Sequence, residues 1–265
     1  MVPQTLTGNP RHDRLISLVH ERGYMSHDEL AEILKVSIQT VRRDIRKLSE
    51  LGIVSRLHGG VGRPASSVTN IAFEQRETTY VHEKTLIAQR IIDYIPSGST
   101  VFITIGTSVE HVARMLVKRQ DLRIITNSLR VAYLLYKNTA IEVVLPGGTL
   151  RPVNGGIVGP DTVAFVEGFQ ADYLITSVGA VNNDGRLLEY YINEAAVTRA
   201  MMAHSRHILL AIDHSKFGSS AAVKLGNITP AMTVFTDRPL PEPLSQLLQR
   251  QQVEVIIATE PTSSV

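Results

Sequence analysis

Apolar positions in the amino-terminal quarter of the chain recur at helical spacing. Leu15, Ile16, Leu18 and Val19 stand among polar residues over 11–22, the one-sided pattern of an amphipathic helix, and Gly23 stops it. Ser26-His27-Asp28-Glu29 is a capping box, with Ser26 as N-cap and Glu29 reaching back from the third helical position. The helix it opens turns Leu30, Ile33 and Leu34 inward. Ser37 caps a third helix, and only Lys35-Val36 separates that cap from the second. So tight a join predicts a helix-turn-helix, over about 25–44, rather than an antiparallel hairpin. At about 100° per residue, Ile38, Val41, Ile45, Leu48 and Leu51 fall within an arc of roughly 140°. Gln39, Thr40, Arg42, Arg43, Arg46 and Lys47 take the other side, and Gly52 ends the helix. Residues 53–61 then alternate around Gly59-Gly60 as a short hairpin does. Three helices and a hairpin predict a winged helix-turn-helix over residues 1–61.

Residues 62–70 are rich in turn formers and poor in core residues, so 62–76 reads as a linker. A polar helix is expected over about 77–95, closed by Pro96-Ser97-Gly98. Beyond it the pattern changes class. Short apolar runs at 100–105, 122–126, 141–145, 172–179, 207–213, 232–237 and 253–258 predict strands. Helical stretches at 108–118, 128–138, 193–205 and 241–251 lie between several of them. Strands alternating with helices predict a mostly parallel α/β sheet covered on both faces, over 77–265.

Composition narrows the function. A length of 265 residues fits two domains better than one. The chain has no cysteine, which excludes disulfides, thiolate zinc sites and a cysteine nucleophile. No apolar run approaches the ~18 residues of a membrane helix, and the first ten residues lack a signal-peptide core, so a cytoplasmic protein with no membrane partner is expected. The net charge of +2 hides an asymmetry: residues 39–63 hold six basic against two acidic side chains. A basic cluster in a near-neutral chain points to a local polyanion contact.

That cluster lies on the outer face of the third helix. A helix fits the major groove of DNA, arginine can donate two hydrogen bonds to guanine, and glutamine can pair with adenine. Ser37, Gln39, Thr40, Arg42, Arg43 and Arg46 are the candidate contacts there, with Arg56 and His58 from the hairpin. The bland alternative is a solvated helix face. A second signal is a set of small polar loops at strand ends, where open parallel sheets bind ligands. Gly106-Thr107-Ser108 enters a helix whose free N–H groups suit an anion. Asn127-Ser128, Gly147-Gly148 and Gly179-Ala180 follow later strands, and Lys216 offers a countercharge. Glycine and serine also simply make turns. Arg151 and Arg186 follow loops that face the same end, or are exposed turn arginines. Glu194 suits a base, a hydroxyl acceptor, or a favourable charge at a helix start. His204, His207 and His214 form no metal motif, and no Walker-type loop or nucleophile elbow occurs, so neither metal nor cofactor is expected.

These residues resemble the DeoR family of bacterial transcriptional regulators. The matching stretches are Thr40-Val41-Arg42-Arg43-Asp44-Ile45, Arg56-Leu57-His58-Gly59-Gly60, Ile105-Gly106-Thr107, residues 122–127 and 146–151, and Asp213-His214-Ser215-Lys216-Phe217-Gly218. The resemblance runs from about Arg11 to Ala258. It implies an amino-terminal reader of double-stranded operator DNA and a carboxyl-terminal sugar-phosphate sensor, similar in fold to ribose-5-phosphate isomerase, that also carries homo-oligomerisation as a dimer or tetramer. On that analogy Glu194 and Lys216 fall near the isomerase's acid/base and substrate-binding positions. Many members carry aspartate where this chain has Thr104, a ligand contact, and lysine where it has Thr198. Within the family the chain looks most like regulators of sulfosugar (sulfoquinovose) catabolism, with glycerol-3-phosphate regulators next. The resemblance therefore implies a repressor, not an enzyme, released by a phosphosugar or sulfosugar phosphate. The competing readings are an isomerase-like enzyme with an appended helical domain, and a constitutive DNA-binding protein.

Overall fold

The computed structural model describes residues 9–22, 24–50, 53–57, 59–62 and 73–260, and the chain divides into two compact units, Met1–Thr69 and Asn70–Val265. In the first, α1 (Pro10–Arg22), α2 (His27–Leu34) and α3 (Ile38–Glu50) enclose one core with three short strands, β1 (Tyr24–Ser26), β2 (Ser55–Leu57) and β3 (Gly60–Gly62). Leu15, Leu18, Val19, Leu30, Val41, Ile45 and Leu48 are buried together with Val54 and Val61 of the wing. Each such side chain contributes on the order of 1.5–3 kcal/mol by leaving water. The capping box forms as the sequence predicts: the Glu29 N–H donates to Ser26 Oγ at 3.2 Å and the Ser26 N–H to Glu29 Oε2 at 2.9 Å. The α2–α3 turn closes through Lys35 in the left-handed region (φ 53°), and the Thr40 N–H donates to Ser37 Oγ at 3.2 Å.

Two core expectations change. Ile33 and Ile38 are 37% and 38% exposed, because Leu30 and Leu34 already fill the inner face of the short α2 and Ile38 begins α3 outside the packed arc. β1 carries no sequence signal, because three residues ending on the N-cap Ser26 are too few to alternate. It pairs antiparallel with β3, giving the order β1-β3-β2. Gly23, Leu51 and Gly52, expected as helix stops or core, lie outside the described residues.

The second unit opens with α4 (Phe73–Thr78) and α5 (Val81–Ile92), then runs β4 (Thr100–Ile103), α6 (Thr107–Leu116), β5 (Leu122–Thr126), α7 (Leu129–Leu135), β6 (Ile141–Val144), β7 (Thr149–Arg151), β8 (Gly156–Val158), α8 (Pro160–Glu167) and β9 (Ala171–Thr176). It continues through β10 (Ala180–Val181), β11 (Arg186–Glu189), α9 (Ile192–Ala203), β12 (Ser205–Ala211), β13 (Val223–Asn227), β14 (Met232–Thr236), α10 (Glu242–Arg250) and β15 (Glu254–Ile257). All seven apolar runs become one sheet, ordered β15-β14-β12-β9-β4-β5-β6, with every neighbouring pair parallel. Side chains alternate between two cores. Val101 and Ile103 face α5, α6 and α7, whereas Phe102 joins the cluster of α8, α9 and α10.

Strand order reverses at β4. The chain builds outward through β5 and β6, then returns to lay β9 on the other side of β4, and the crevice beyond β4 and β9 is where such sheets bind ligands. Two small antiparallel additions, the β7–β8 hairpin and the β10-β11-β13 sheet, accompany this framework. The expected helix over 77–95 is two helices. Tyr80 adopts φ 54° between them, and the buried Lys84 ammonium donates to the carbonyls of Arg76 and Thr79, ending α4. Residues 73–76, read as linker, therefore belong to α4, while 63–72 lie outside the described residues. Among the described residues no helix is long and apolar enough to cross a membrane.

Candidate functional site

The outer face of α3 carries the basic residues that the pattern assigns to it. Gln39, Arg42, Arg43, Arg46 and Lys47 are exposed, as is Arg56 on β2. Arg46 lies 3.5 Å from Glu50, one turn on, with both largely in solvent. Ser37 and Thr40 are partly spent on the helix start, their hydroxyls 2.9 Å apart. His58 lies outside the described residues. The wing is seated on α2 by the His27 N–H, which donates to the Gly59 carbonyl at 3.1 Å. Burial, with Arg42 and Arg56 close by, pushes His27 below its ordinary value although Asp28 opposes them. Arg42 of the helix and Arg56 of the wing thus feed one positive field.

Asp44, inside the same motif, does the opposite job. It is buried, and it accepts from Arg11 Nε at 2.6 Å and from Arg11 Nη2 at 3.1 Å, with His12 Nε2 at 3.1 Å. Burial alone would raise this carboxyl, but the hydrogen bonds from Arg11 and His12 outweigh it and hold it low. A carboxylate depressed in the folded state gives stability that is complete above its unfolded value, near 4, and is lost as the pH falls through the folded one. Asp44→Ala is expected to destabilise the first unit by about 1–3 kcal/mol at neutral pH, since two donors lose their acceptor. It should also flatten the loss of stability below about pH 4. Calorimetric melting of the full chain from pH 3 to 7 checks both, and a neutral-pH melt identical to wild type would show that the pair fastens nothing.

In the second unit a narrow cleft, with a cavity volume of about 30 Å³, opens beyond β4 and β9. Gly106, Thr107 and Ser108 form its floor at the start of α6. Gly106 is the N-cap, at φ 145°, and no side chain caps the helix, so the first-turn N–H groups are directed at the cleft. Gly179 follows β9. A Cβ there would lie 2.8 Å from the Tyr190 ring, so glycine lets the ring line the cleft. Lys216 ends a 3-10 turn, His214–Lys216, fastened by Asp213 at the Ser215 N–H (3.1 Å) and by Asp237 at the His214 N–H (2.7 Å). Glu194 begins α9, and its Oε1 accepts from Arg151 at 2.5 Å and Asn154 at 2.8 Å. The Arg151 guanidinium in turn lies 3.7 Å over the Tyr191 ring.

Gly106, Thr107, Ser108, Gly179, Glu194 and Lys216 therefore come together, with Arg151 behind Glu194. The other candidates sit elsewhere. Thr104 is buried and donates to Thr176 Oγ1 at 2.9 Å, tying β4 to β9. Asn127 donates to the Ile157 carbonyl at 3.0 Å, and Ser128 caps α7 by accepting from the Val131 N–H at 3.2 Å. Gly147 gives its carbonyl to Thr162, and a Cβ on Gly148 would meet Thr162 Oγ1 at 2.2 Å. Thr198 is buried in α9, and Arg186 pairs locally with Asp184.

Sequence reasoning missed Glu189, Tyr190, Arg76 and Phe73, which also line the cleft. Burial, with Glu194 nearby, pushes the Glu189 carboxyl up to about 7, against the pull of Lys216 and Arg76. No spacing signal links β11 or α4 to this crevice. The histidines have separate partners, His204 at the Ala200 carbonyl and His207 at the Tyr173 ring. Among the described residues Glu83, His214 and Asp237 bring ligand atoms within 4.8 Å. Arg238 lies 3.4 Å from Asp237 and 3.9 Å from Glu83, so a guanidinium supplies the positive charge there.

Residues 11–67 match the model of the DeoR-like helix-turn-helix domain, and residues 79–238 match that of the DeoR C terminal sensor domain. The chain is 59% identical to the HTH-type transcriptional repressor CsqR of Escherichia coli (strain K12), over 96% of this chain and 97% of that protein. It is 41% identical to the glycerol-3-phosphate regulon repressor of the same organism, over 92% and 97%. Among solved structures, ribose 5 phosphate isomerase A from Neisseria gonorrhoeae aligns over 51% of this chain and 53% of its own, with a TM-score of 0.39 and 14% identity.

Proposed function

The chain belongs to the DeoR family of transcriptional repressors, and on that premise we propose that it represses a carbohydrate catabolic operon and leaves its operator when an anionic sugar phosphate fills the cleft beyond β4 and β9. The helix α3 enters the major groove with Arg42, Arg43, Arg46 and Gln39 toward the bases. Ser37, Thr40, Arg56 and His58 set register on the phosphates. A homo-oligomer presents two such helices to symmetric half-sites, and the occupied sensor favours a state with poor half-site spacing. The chain acts in the cytoplasm, where its operator is.

The observation that carries the effector's chemistry is the two-sided lining of the cleft. Lys216, Arg76 and the start of α6 suit an acid group, while Glu194, Tyr190 and Ser108 suit hydroxyls. The likeness of the chain to regulators of sulfosugar catabolism supports a phosphorylated sulfofructose. The kinship with glycerol-3-phosphate regulon repressors supports glycerol 3-phosphate as the second reading. Operator binding titrated with sulfoquinovose, phosphorylated sulfofructose, glycerol 3-phosphate and ribose 5-phosphate is the test. The sulfofructose phosphate should release operator with a coupling of about 1–3 kcal/mol. Release by ribose 5-phosphate alone would sink the sulfosugar assignment, and release by none would sink the sensor.

An enzymatic reading has one observation in its favour: a carboxyl near neutral pKa, Glu189, is what acid–base chemistry uses. Turnover of aldose or ketose phosphates would support it, and its absence is expected, because Glu194 is already engaged by Arg151 and Asn154.

A further inference from the structure

We propose that Arg76 of α4 is the receptor for the effector's acid group, and that occupancy of the cleft is thereby felt by the helix next to the linker. The inference rests on the effector cleft described above. Arg76 lines that cleft, and its buried Nε has no hydrogen-bond partner. A buried donor without an acceptor is costly, and on a side chain that lines a ligand cleft it marks a site prepared for an acceptor that arrives later.

The surroundings favour an anion as that acceptor. Burial pushes the Lys84 ammonium down to about 8, and Lys216 and Arg76 add to the effect against Asp213 and Glu83. Arg76 and Lys216 both line the cleft, with Lys84 bonded to the Arg76 carbonyl behind them, and burial pushes the Glu189 carboxyl beside them up to about 7. An anion in the cleft can meet the guanidinium of Arg76, and the open start of α6 adds N–H donors. A guanidinium can hold phosphate or sulfonate through two parallel hydrogen bonds, which an ammonium cannot.

The consequence for the linker follows from how α4 is held. Six residues are too few for a helix to persist unaided. Besides the buried Phe73 its ties are polar: Lys84 donates to the Arg76 carbonyl and to that of Thr79 just beyond the helix, and Glu77 is paired at 2.5 Å with Arg130, itself held at 2.7 Å by buried Glu110. The Phe73 ring lies under both Arg130, at 5.0 Å, and Arg76, at 5.5 Å. A ligand gripped by Arg76 adds one more tie to this short helix, whose amino-terminal end continues into residues 63–72. Effector binding then changes the stability of the segment through which the DNA-binding unit is attached.

The test is isothermal titration of the full chain with glycerol 3-phosphate, 2,3-dihydroxypropane-1-sulfonate and the sulfofructose phosphate, paired with hydrogen exchange at residues 73–78. Wild type should bind at least one probe, and exchange in α4 should slow on saturation. Arg76→Gln should keep the wild-type circular dichroism yet bind that probe at least tenfold more weakly, and Arg76→Lys should recover part of the affinity. A merely structural arginine would lower the melting temperature without this dependence on a donor. Wild-type affinity in Arg76→Gln, or α4 exchange indifferent to bound ligand, would overturn the inference and leave the cleft standing. Failure of wild type to bind any of the three would overturn both.

Discussion

Arg42→Ala should lose sequence-specific operator binding while the protein stays folded. Arg42 projects from α3 into solvent, next to the buried Val41 and two positions before the buried Asp44, so truncating it removes no packing. Loss of one bidentate base contact costs about 1–3 kcal/mol, a drop of roughly 5- to 150-fold in affinity. Arg56→Ala should behave differently. It lies on the wing, where contacts go to phosphates, and its loss should weaken binding to all sequences and lower the salt slope by about one counterion. Fluorescence anisotropy on operator and scrambled duplexes, at several salt concentrations, separates the two effects. Operator affinity unchanged in both Arg42→Ala and Arg46→Ala would remove α3 from the interface.

How much of this molecule can be read without coordinates depends on what each residue answers to. All seven strands of the parallel sheet are legible because strands buried on both faces must be apolar along their length, and β5, at Leu122–Thr126, is placed to the residue. α3 is legible for the same reason in a helical period, except at its end: Ile38 looks like core and is not. Short additions escape, since β1 and β10 are too brief to show a period. At the cleft, glycine and serine at strand ends are ambiguous because the backbone needs the same residue types that ligands do. Gly106 and Gly179 serve the cleft, whereas Ser128 caps a helix and Asn127 pins β8. Glu189 and Arg76 come from elements that no local pattern relates to β4, and only the crossover of the chain brings them there.

The same ambiguity makes the sharpest test of the sensor. Lys216→Ala should hold operator within about twofold of wild type and fail to release it. Its turn is fastened by Asp213 and Asp237, and the Gly218 N–H donates to the Val181 carbonyl at 3.2 Å, so the backbone stays when the side chain goes. A charged hydrogen bond to the effector is worth about 1.5–3 kcal/mol, so affinity should fall roughly 10- to 150-fold. Gly106→Val should give the same phenotype by another route. At φ 145° a β-branched residue is strained, and its side chain would stand where the α6 N–H groups receive the anion. Gly147→Ala is the control: it follows β6 in an equally glycine-rich loop, a Cβ there meets nothing within 4 Å, and it lies outside the cleft, so induction should be normal. Operator release measured across these variants distinguishes the cleft beyond β4 and β9 from the loop after β6. Normal induction in Lys216→Ala together with a non-inducible Gly147→Ala would move the effector to the other loop.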